Sequence, residues 1–265
     1  MSTTPKALRQ KKILERLKSG GGAASVSELA RLFQLSAITI RRDLIELHEK
    51  GLIERTWGGA LSGEVLAEGS ARYESISYTE REQQNAAQKK AIAEMAVQYV
   101  SDGDCILLNG GTTVRYMADE LRGHQNLHVV TNGLTVAMAI GQSVNPSVYL
   151  LPGTVDFRKM STISQPDTAL FREINLRAAF LGVHGLSVRH GLCMLTREEA
   201  LMNRAFIDMA DTVNILVDSS KFQSHAIFQI APVQKATRLF SDNALPPDTV
   251  KHLQDLGIDV ILAFL

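Results

Sequence analysis

Residues 25–60 read SVSELARLFQLSAITIRRDLIELHEKGLIERTWGGA. The segment SVSELARLF has a helical period. Ser25 and Glu28 have the spacing of a capping box, with Ser27 an equal candidate for the cap. Gln34-Leu35-Ser36 interrupts the period, and Ser36 is a good N-cap for a helix over AITIRRDLIELHEK that Gly51 ends. Two helices so spaced make a helix-turn-helix. Ala30 takes the crowded crossing, where only a small side chain fits, and Leu29, Phe33, Leu35 and Ile40 take inward positions. The next inward slot falls on Asp43, so Leu44 must supply the packing. LIERTWGGAL then predicts two short β pieces around Arg55 and Thr56, closed by Gly58-Gly59 in the manner of a wing. Upstream, Leu8, Ile13, Leu14 and Leu17 predict a first helix over 6–19, ended by Gly20-Gly21-Gly22.

A recognition helix presents its N-terminal half to base edges in the major groove. Ser36, Ala37, Thr39, Arg41 and Arg42, with Ile38 among them, are therefore candidate contacts to double-stranded DNA, joined by Arg55 and Thr56 of the wing. Either arginine can contact guanine bidentately or grip phosphate. Trp57 reads as a packing residue. The formal net charge of zero conceals an asymmetry: residues 1–60 hold 11 Lys+Arg against 6 Asp+Glu, and the remainder carries the matching acidic surplus. Positive charge attracts a polyanion, although a surplus of five is modest by itself.

Residues 61–78 show no steady period and read as a linker, which predicts a DNA-binding module over 1–60 and a second domain over 79–265. A long helix is expected over 79–100. Short apolar runs then alternate with helices: CILLN, LHVVT, SVYLL, AAFLGV, TVNILVD, TRLFSD and DVILAFL are the expected strands. That alternation predicts an α/β domain with a mostly parallel sheet covered on both faces. Glycine-rich or hydroxyl-rich turns follow several strands: Asn109-Gly110-Gly111-Thr112-Thr113, Thr131-Asn132-Gly133, Pro152-Gly153-Thr154 and Asp218-Ser219-Ser220-Lys221-Phe222. In open α/β sheets ligands sit at the C-terminal strand ends, where helix N-termini offer N–H donors. Lys221 adds a cation for an anionic ligand. The seven histidines are scattered without metal-ligand spacing, so no metal and no cofactor is expected. No nucleophile elbow accompanies the serines. Cys105 and Cys193 read as buried free thiols. No apolar run of about 18 residues predicts a membrane span, and the N-terminus lacks the apolar region of a secretory signal, so a cytoplasmic protein is expected.

SVSELARLFQLSAITIRRDLIELHEKGLIERTWGGA, with TIRRDL followed by GLIERTWGGA, resembles the winged helix-turn-helix of the DeoR family of bacterial repressors. The resemblance runs through essentially the whole chain. It implies a larger sensor domain similar to ribose-5-phosphate isomerase, and a repressor of a sugar or carbohydrate operon that responds to a phosphorylated sugar or related metabolite. Carried onto this sequence, the effector positions are Gly111, Thr112, Thr113, Thr131, Asn132, Gly153 and Lys221, with Gly182 and Gly185 in FLGVHG; Asn109 and Gly110 complete the first turn. Three positions depart from the family pattern: Asn109 where Asp is common, Thr154 in place of a second glycine, and SQPDT at 164–168 where Val-Gly-Pro is common. An isomerase- or deaminase-like enzyme is the alternative reading. It needs a base, and Asn109 occupies the obvious place for one. A homo-oligomer, dimer or tetramer, is expected because one such module covers only a short half-site.

Overall fold

The apolar period of the first sixty positions closes a small core. Helix α1 (Pro5–Ser19) contributes Ile13 and Leu17, α2 (Val26–Phe33) contributes Leu29, and α3 (Ala37–Glu49) contributes Ile40, Leu44 and Leu47, all excluded from solvent. The structure, a computed structural model, describes residues 5–19, 23–50, 52–56, 59–62, 76–164, 174–188, 190–223, 226 and 228–265. They divide into two units, Met1–Ser75 and Ile76–Leu265.

In the first unit Ser25 caps α2 by accepting the Glu28 N–H at 3.1 Å. The Glu28 carboxylate goes to Arg16 at 2.5 Å instead of back to the cap, so the box is half formed. Gln34 ends α2 in the left-handed region (φ 54°), and the Leu35 N–H closes the turn on the Ala30 carbonyl at 2.9 Å. Ser36 caps α3 through the Thr39 N–H at 3.2 Å. Leu44 does take the inward place beside Asp43, yet Asp43 is buried as well, at 1% exposure. Arg9 of α1 makes that tolerable by gripping both carboxylate oxygens, Nε on Oδ2 at 2.5 Å and Nη2 on Oδ1 at 3.0 Å. Three short strands, β1 (Ala23–Ser25), β2 (Ile53–Thr56) and β3 (Gly59–Ser62), form an antiparallel sheet in the order β1-β3-β2. The β2–β3 pair is the expected wing, and β3 runs two residues past the boundary expected at 60. Trp57 and most of the 61–78 segment, at 63–75, lie outside the described residues.

The second unit is built on a seven-stranded, wholly parallel sheet in the order β15-β14-β12-β9-β4-β5-β6. Its strands are β4 (Cys105–Leu108), β5 (His128–Thr131), β6 (Ser147–Leu150), β9 (Leu176–Leu181), β12 (Ala210–Leu216), β14 (Arg238–Asp242) and β15 (Asp259–Ala263). These are the seven runs picked out from the sequence. Alternate residues feed opposite faces. Leu107, Ala179, Leu181 and Ile215 pack with Phe206 of α8 (Arg197–Met209) and Leu253 of α9 (Pro247–Asp255). Ile106, Leu108, Phe180 and Phe240 pack with α5 (Ala86–Val97), α6 (Thr112–Glu120) and α7 (Leu134–Ile140). Strand order reverses between β4 and β9, so the helices after these two neighbours lie on opposite faces and a crevice opens between the strand ends.

Three expectations change. The helix expected over 79–100 is two, α4 (Tyr78–Gln83) and α5, separated by Asn85 in the left-handed region at φ 53°. The loop expected after SVYLL contains a hairpin, β7 (Thr154–Asp156) with β8 (Ser161–Ile163). The loop expected after AAFLGV begins a small antiparallel sheet of β10 (Gly185–Ser187), β11 (Gly191–Met194) and β13 (Phe228–Ala231). Cys193 is buried, while Cys105 is only partly so; neither forms a disulfide.

Removing Arg9 leaves the buried Asp43 carboxylate unpaired in a poor solvent. Arg9→Met therefore destabilises the first unit by about 3 kcal/mol, and adding Asp43→Leu recovers most of the loss because the pair is then replaced by apolar bulk. Denaturant melts of the single and double variants check both halves of this expectation.

Candidate functional site

On α3 the capping residues hold one another. Ser36 Oγ and Thr39 Oγ1 lie 2.9 Å apart, and Ser36 also takes the Thr39 N–H, so both hydroxyls belong to the cap. Ala37, Arg41 and Arg42 are exposed, and neither arginine has a hydrogen-bond or ion-pair partner among the described residues. Arg55 and Thr56 contribute backbone to β2; their side chains lie outside the described residues.

In the second unit the predicted turns meet at the C-terminal edge of five adjacent strands. Asn109 follows β4 and is 1% exposed. Its Oδ1 accepts the Gly182 N–H at 2.9 Å, while Nδ2 donates to the Gly182 carbonyl at 2.9 Å and to Asn203 Oδ1 at 2.8 Å. The Gly110 N–H donates to Asn132 Oδ1 at 2.8 Å, and Asn132 Nδ2 donates to the Thr162 carbonyl at 3.0 Å. Thr131 Oγ1 accepts the Gly133 N–H at 2.9 Å. Asn109, Thr131 and Asn132 thus spend their polar atoms within the protein and form the floor of the edge. Gly111 starts α6 with no side-chain cap, so the N–H groups of the first turn have no side chain serving them; Thr112 is half-buried there and Thr113 buried. Gly153, at φ +153°, lies against β8: a Cβ there would stand 2.5 Å from the Ile163 carbonyl oxygen. Gly185 is paired with Cys193 in the small sheet. Within SQPDT, residues 165–168 lie outside the described residues.

Lys221 lies in a short 3-10 turn after β12 and has company that the sequence reading missed. Lys89 of α5 is 4% exposed and donates Nζ to the Arg81 carbonyl. Burial pulls its pKa from 10.5 down to about 8, against the opposing pull of Asp218, and the positive charges of Lys221 and Arg81 push the same way as burial. Arg81 of α4 donates Nη2 to the Arg158 carbonyl of the β7–β8 hairpin at 2.6 Å. Tyr78 ties the same helix to α7 through Thr135 Oγ1 at 2.8 Å. Asp218, 2% exposed, takes Asn85 Nδ2 at 3.1 Å and the Ser220 N–H at 3.1 Å. That bond accounts for the broken helix, because Asn85 leaves the helical path where its amide reaches Asp218. Lys159 of the hairpin pairs with Glu199 at 3.0 Å, and Thr196 Oγ1 donates to the same carboxylate at 2.8 Å. Burial raises Glu199, but His184, Lys159 and Thr196 together bring it below the ordinary value. His184 is driven down to about 4 by burial; Glu199 opposes that, and Lys221, Lys159 and Arg81 reinforce it. Arg81 and Lys221 act on both Lys89 and His184, so all four share one electrostatic neighbourhood. The missed signal was helical phase: Lys89 precedes Ile92, Ala93 and Ala96 on the buried stripe.

Two family descriptions match this chain, the DeoR-like helix-turn-helix domain over residues 9–64 and the DeoR C terminal sensor domain over 84–243. The chain belongs to the DeoR family. It is 32% identical to the uncharacterized HTH-type transcriptional regulator YulB of Bacillus subtilis over 96% of this chain and 95% of that protein. It is 27% identical to the putative aga operon transcriptional repressor of Escherichia coli O157:H7 over 96% of this chain and 93% of that one. Among solved structures, the ribose 5-phosphate isomerase of Plasmodium falciparum overlaps 51% of this chain and 52% of that one, at 17% identity and a TM-score of 0.36. As a DeoR-family member the chain is a sequence-specific DNA-binding transcriptional regulator, whose helix-turn-helix and sensor lie in separate units. No helix among its described residues is long and apolar enough to cross a membrane.

The glycines at the edge differ in what they tolerate. A Cβ on Gly133 would stand 3.0 Å from both Gly110 Cα and Val136 Cγ2, whereas one on Gly182 meets nothing closer than 3.7 Å. Gly133→Ala should cost about 1–3 kcal/mol by overpacking. Gly182→Ala should stay within about 0.5 kcal/mol of the parent. Thermal melts of the two variants side by side distinguish them.

Proposed function

We propose that the chain represses a carbohydrate operon, and that a phosphorylated sugar or related anionic metabolite modulates its hold on DNA. In this reading Ala37, Arg41 and Arg42, supported by the Ser36–Thr39 cap and by Arg55 and Thr56 of the wing, contact the operator. The effector lies over Gly110–Thr113, Asn132, Gly153 and Gly182, with Lys221, Lys89 and Arg81 facing its charge. The observation that carries it is Lys89: a nearly inaccessible ammonium, its pKa pulled down to about 8, beside two further cations and one buried carboxylate. An anion placed there relieves the repulsion, and the uncapped start of α6 supplies N–H donors beside it. The lactose phosphotransferase system repressor of Staphylococcus epidermidis, 28% identical over 87% of this chain and 90% of that protein, supports the carbohydrate assignment. A dimer reading two half-sites fits the short reach of one module.

The sensor unit is read as non-catalytic. An isomerase requires a base over its substrate, and the residue at the end of β4 is an amide whose donors are engaged by Gly182 and Asn203.

Two experiments test the halves separately. Arg41→Ala with Arg42→Ala should abolish operator preference, since each base-reading arginine is worth about 1–3 kcal/mol; operator affinity equal to the parent's refutes the helix assignment. For the sensor, calorimetry with a panel of sugar phosphates should find a ligand whose binding Lys221→Ala weakens tenfold or more, because a hydrogen bond to a charged group is worth about 1.5–3 kcal/mol. Operator affinity without ligand stays unchanged in that variant. A bound anion favours charged Lys89 and raises its pKa above 8. Affinity is therefore level below pH 8, falls as pH rises above it, and binding takes up a proton near pH 8–9. Lys89→Met removes the proton uptake.

A further inference from the structure

The surface of α3 is sorted by element contacts. Ile40, Leu44 and Leu47 face the core. Asp43 is held by Arg9, and Glu46 by Lys6 at 2.5 Å and by Gln10 at 3.0 Å, so both acids of the middle turns are drawn onto α1. What remains outward is Ala37, Ile38, Arg41, Arg42, Ile45 and Glu49, and of these Ile38, Arg41, Arg42 and Ile45, at spacing i, i+3, i+4 and i+7, form one stripe of the helix with Glu49 at its C-terminal end. Ile38 is 76% exposed and Ile45 37%. Ile38 stands two positions after the cap, next to two arginines with no partner among the described residues. Among the described residues its side chain joins no core cluster.

A stripe with two free guanidinium groups is complementary to a polyanion, and the apolar group between the cap and those arginines then meets whatever lies between the phosphates. In the major groove the only apolar feature presented by a base pair is the C5-methyl of thymine. An isoleucine there gains by covering that methyl. Opposite cytosine or guanine it would instead strip water from a donor or acceptor and return no hydrogen bond. We propose that Ile38 reads a thymine methyl and is the specificity-determining apolar residue of this helix. The proposal rests on the assignment of α3 as the DNA-reading helix, and goes beyond it by naming the base and the group that is read.

The test uses the full chain. A randomised double-stranded DNA library is selected for binding, and each thymine of the preferred sequence is then replaced singly by deoxyuridine, which lacks only the methyl. One replacement should weaken binding by the parent about fourfold, the worth of one buried methyl-sized group. Ile38→Ala should weaken binding to the parent sequence by a similar factor and be indifferent to that replacement, so the two changes together cost no more than either. Because Ile38 is exposed, the variant melts with the parent, which separates recognition from folding. The proposal is overturned if the parent is indifferent to every deoxyuridine, or if Ile38→Ala keeps the full sensitivity at that position. It is equally overturned if Ile38→Ala binds every sequence like the parent but changes its sedimentation, since the stripe is then a protein interface. Failure of the underlying assignment looks different: the Arg41→Ala, Arg42→Ala variant would keep parental affinity for the selected sequence.

Discussion

The side chain of Asn109 joins the two halves of the second unit where its strand order reverses. Where strand order reverses, the chains leaving β4 and β9 go to opposite faces, and nothing in the backbone ladder continues past Leu108 and Phe180 except the Asn109 N–H on the Phe180 carbonyl at 3.3 Å. The amide takes over from there, receiving the N–H of Gly182 and donating to its carbonyl. Only a group with both a donor and an acceptor matches the N–H and the C=O of one residue; an ionised carboxylate would turn its second oxygen against the Gly182 and Asn203 oxygens. The line continues outward through Gly110 to Asn132, from Asn132 to Thr162, and from Thr162 Oγ1 to the Leu151 carbonyl at 2.8 Å. One run of hydrogen bonds therefore crosses from β9 to β8, and the position of the first turn of α6 depends on it.

In the first unit a different economy sets the surface. The helix-turn-helix period turns Asp43 inward and leaves Glu46 partly exposed on α3. Cross-helix pairing with Arg9, Lys6 and Gln10 draws both acids onto α1. The modest net surplus of positive charge in residues 1–60 understates the local field for this reason, because α1 spends several of its cations on pairs. Sequence composition counts charges, whereas a partner meets only those left over after such pairing.

How much was legible follows from what each feature depends on. The seven strands of the parallel sheet are buried on both faces and read as continuous apolar runs, so all seven were visible in the sequence. The hairpin β7–β8 and the sheet β10-β11-β13 use strands of three or four residues with no clear alternation, and tertiary contact decides them. Asn85 shows the same limit at one residue: the helical period runs straight through it, and only the distant Asp218, 133 positions along the chain, explains the break. In the candidate site the strand-end turns were legible because glycines and hydroxyls advertise them. Their roles were not: Asn109 and Asn132, expected to face a ligand, spend their amides on backbone. Lys89 and Arg81, which no turn or spacing in the sequence singles out, stand beside Lys221 in the same electrostatic neighbourhood.

Two cations in this chain, one half-buried and one buried, make an instructive contrast. Arg9 is half of a closed account: Asp43 returns a full opposite charge through two hydrogen bonds, and the guanidinium is held firmly in its charged form. Lys89 has no such partner. Its ammonium donates to one neutral carbonyl, shares Asp218 with Asn85 and Ser220, and faces Lys221 and Arg81. A fold that only required stability would place leucine or methionine on that stripe, beside Ile92 and Ala96, where the helix already packs against the sheet. The same helix side that buries four residues thus includes one charge, offset only in part by Asp218 and Glu82. Sequences break local rules of this kind at functional sites, and the anionic effector proposed above would set an opposite charge beside Lys89.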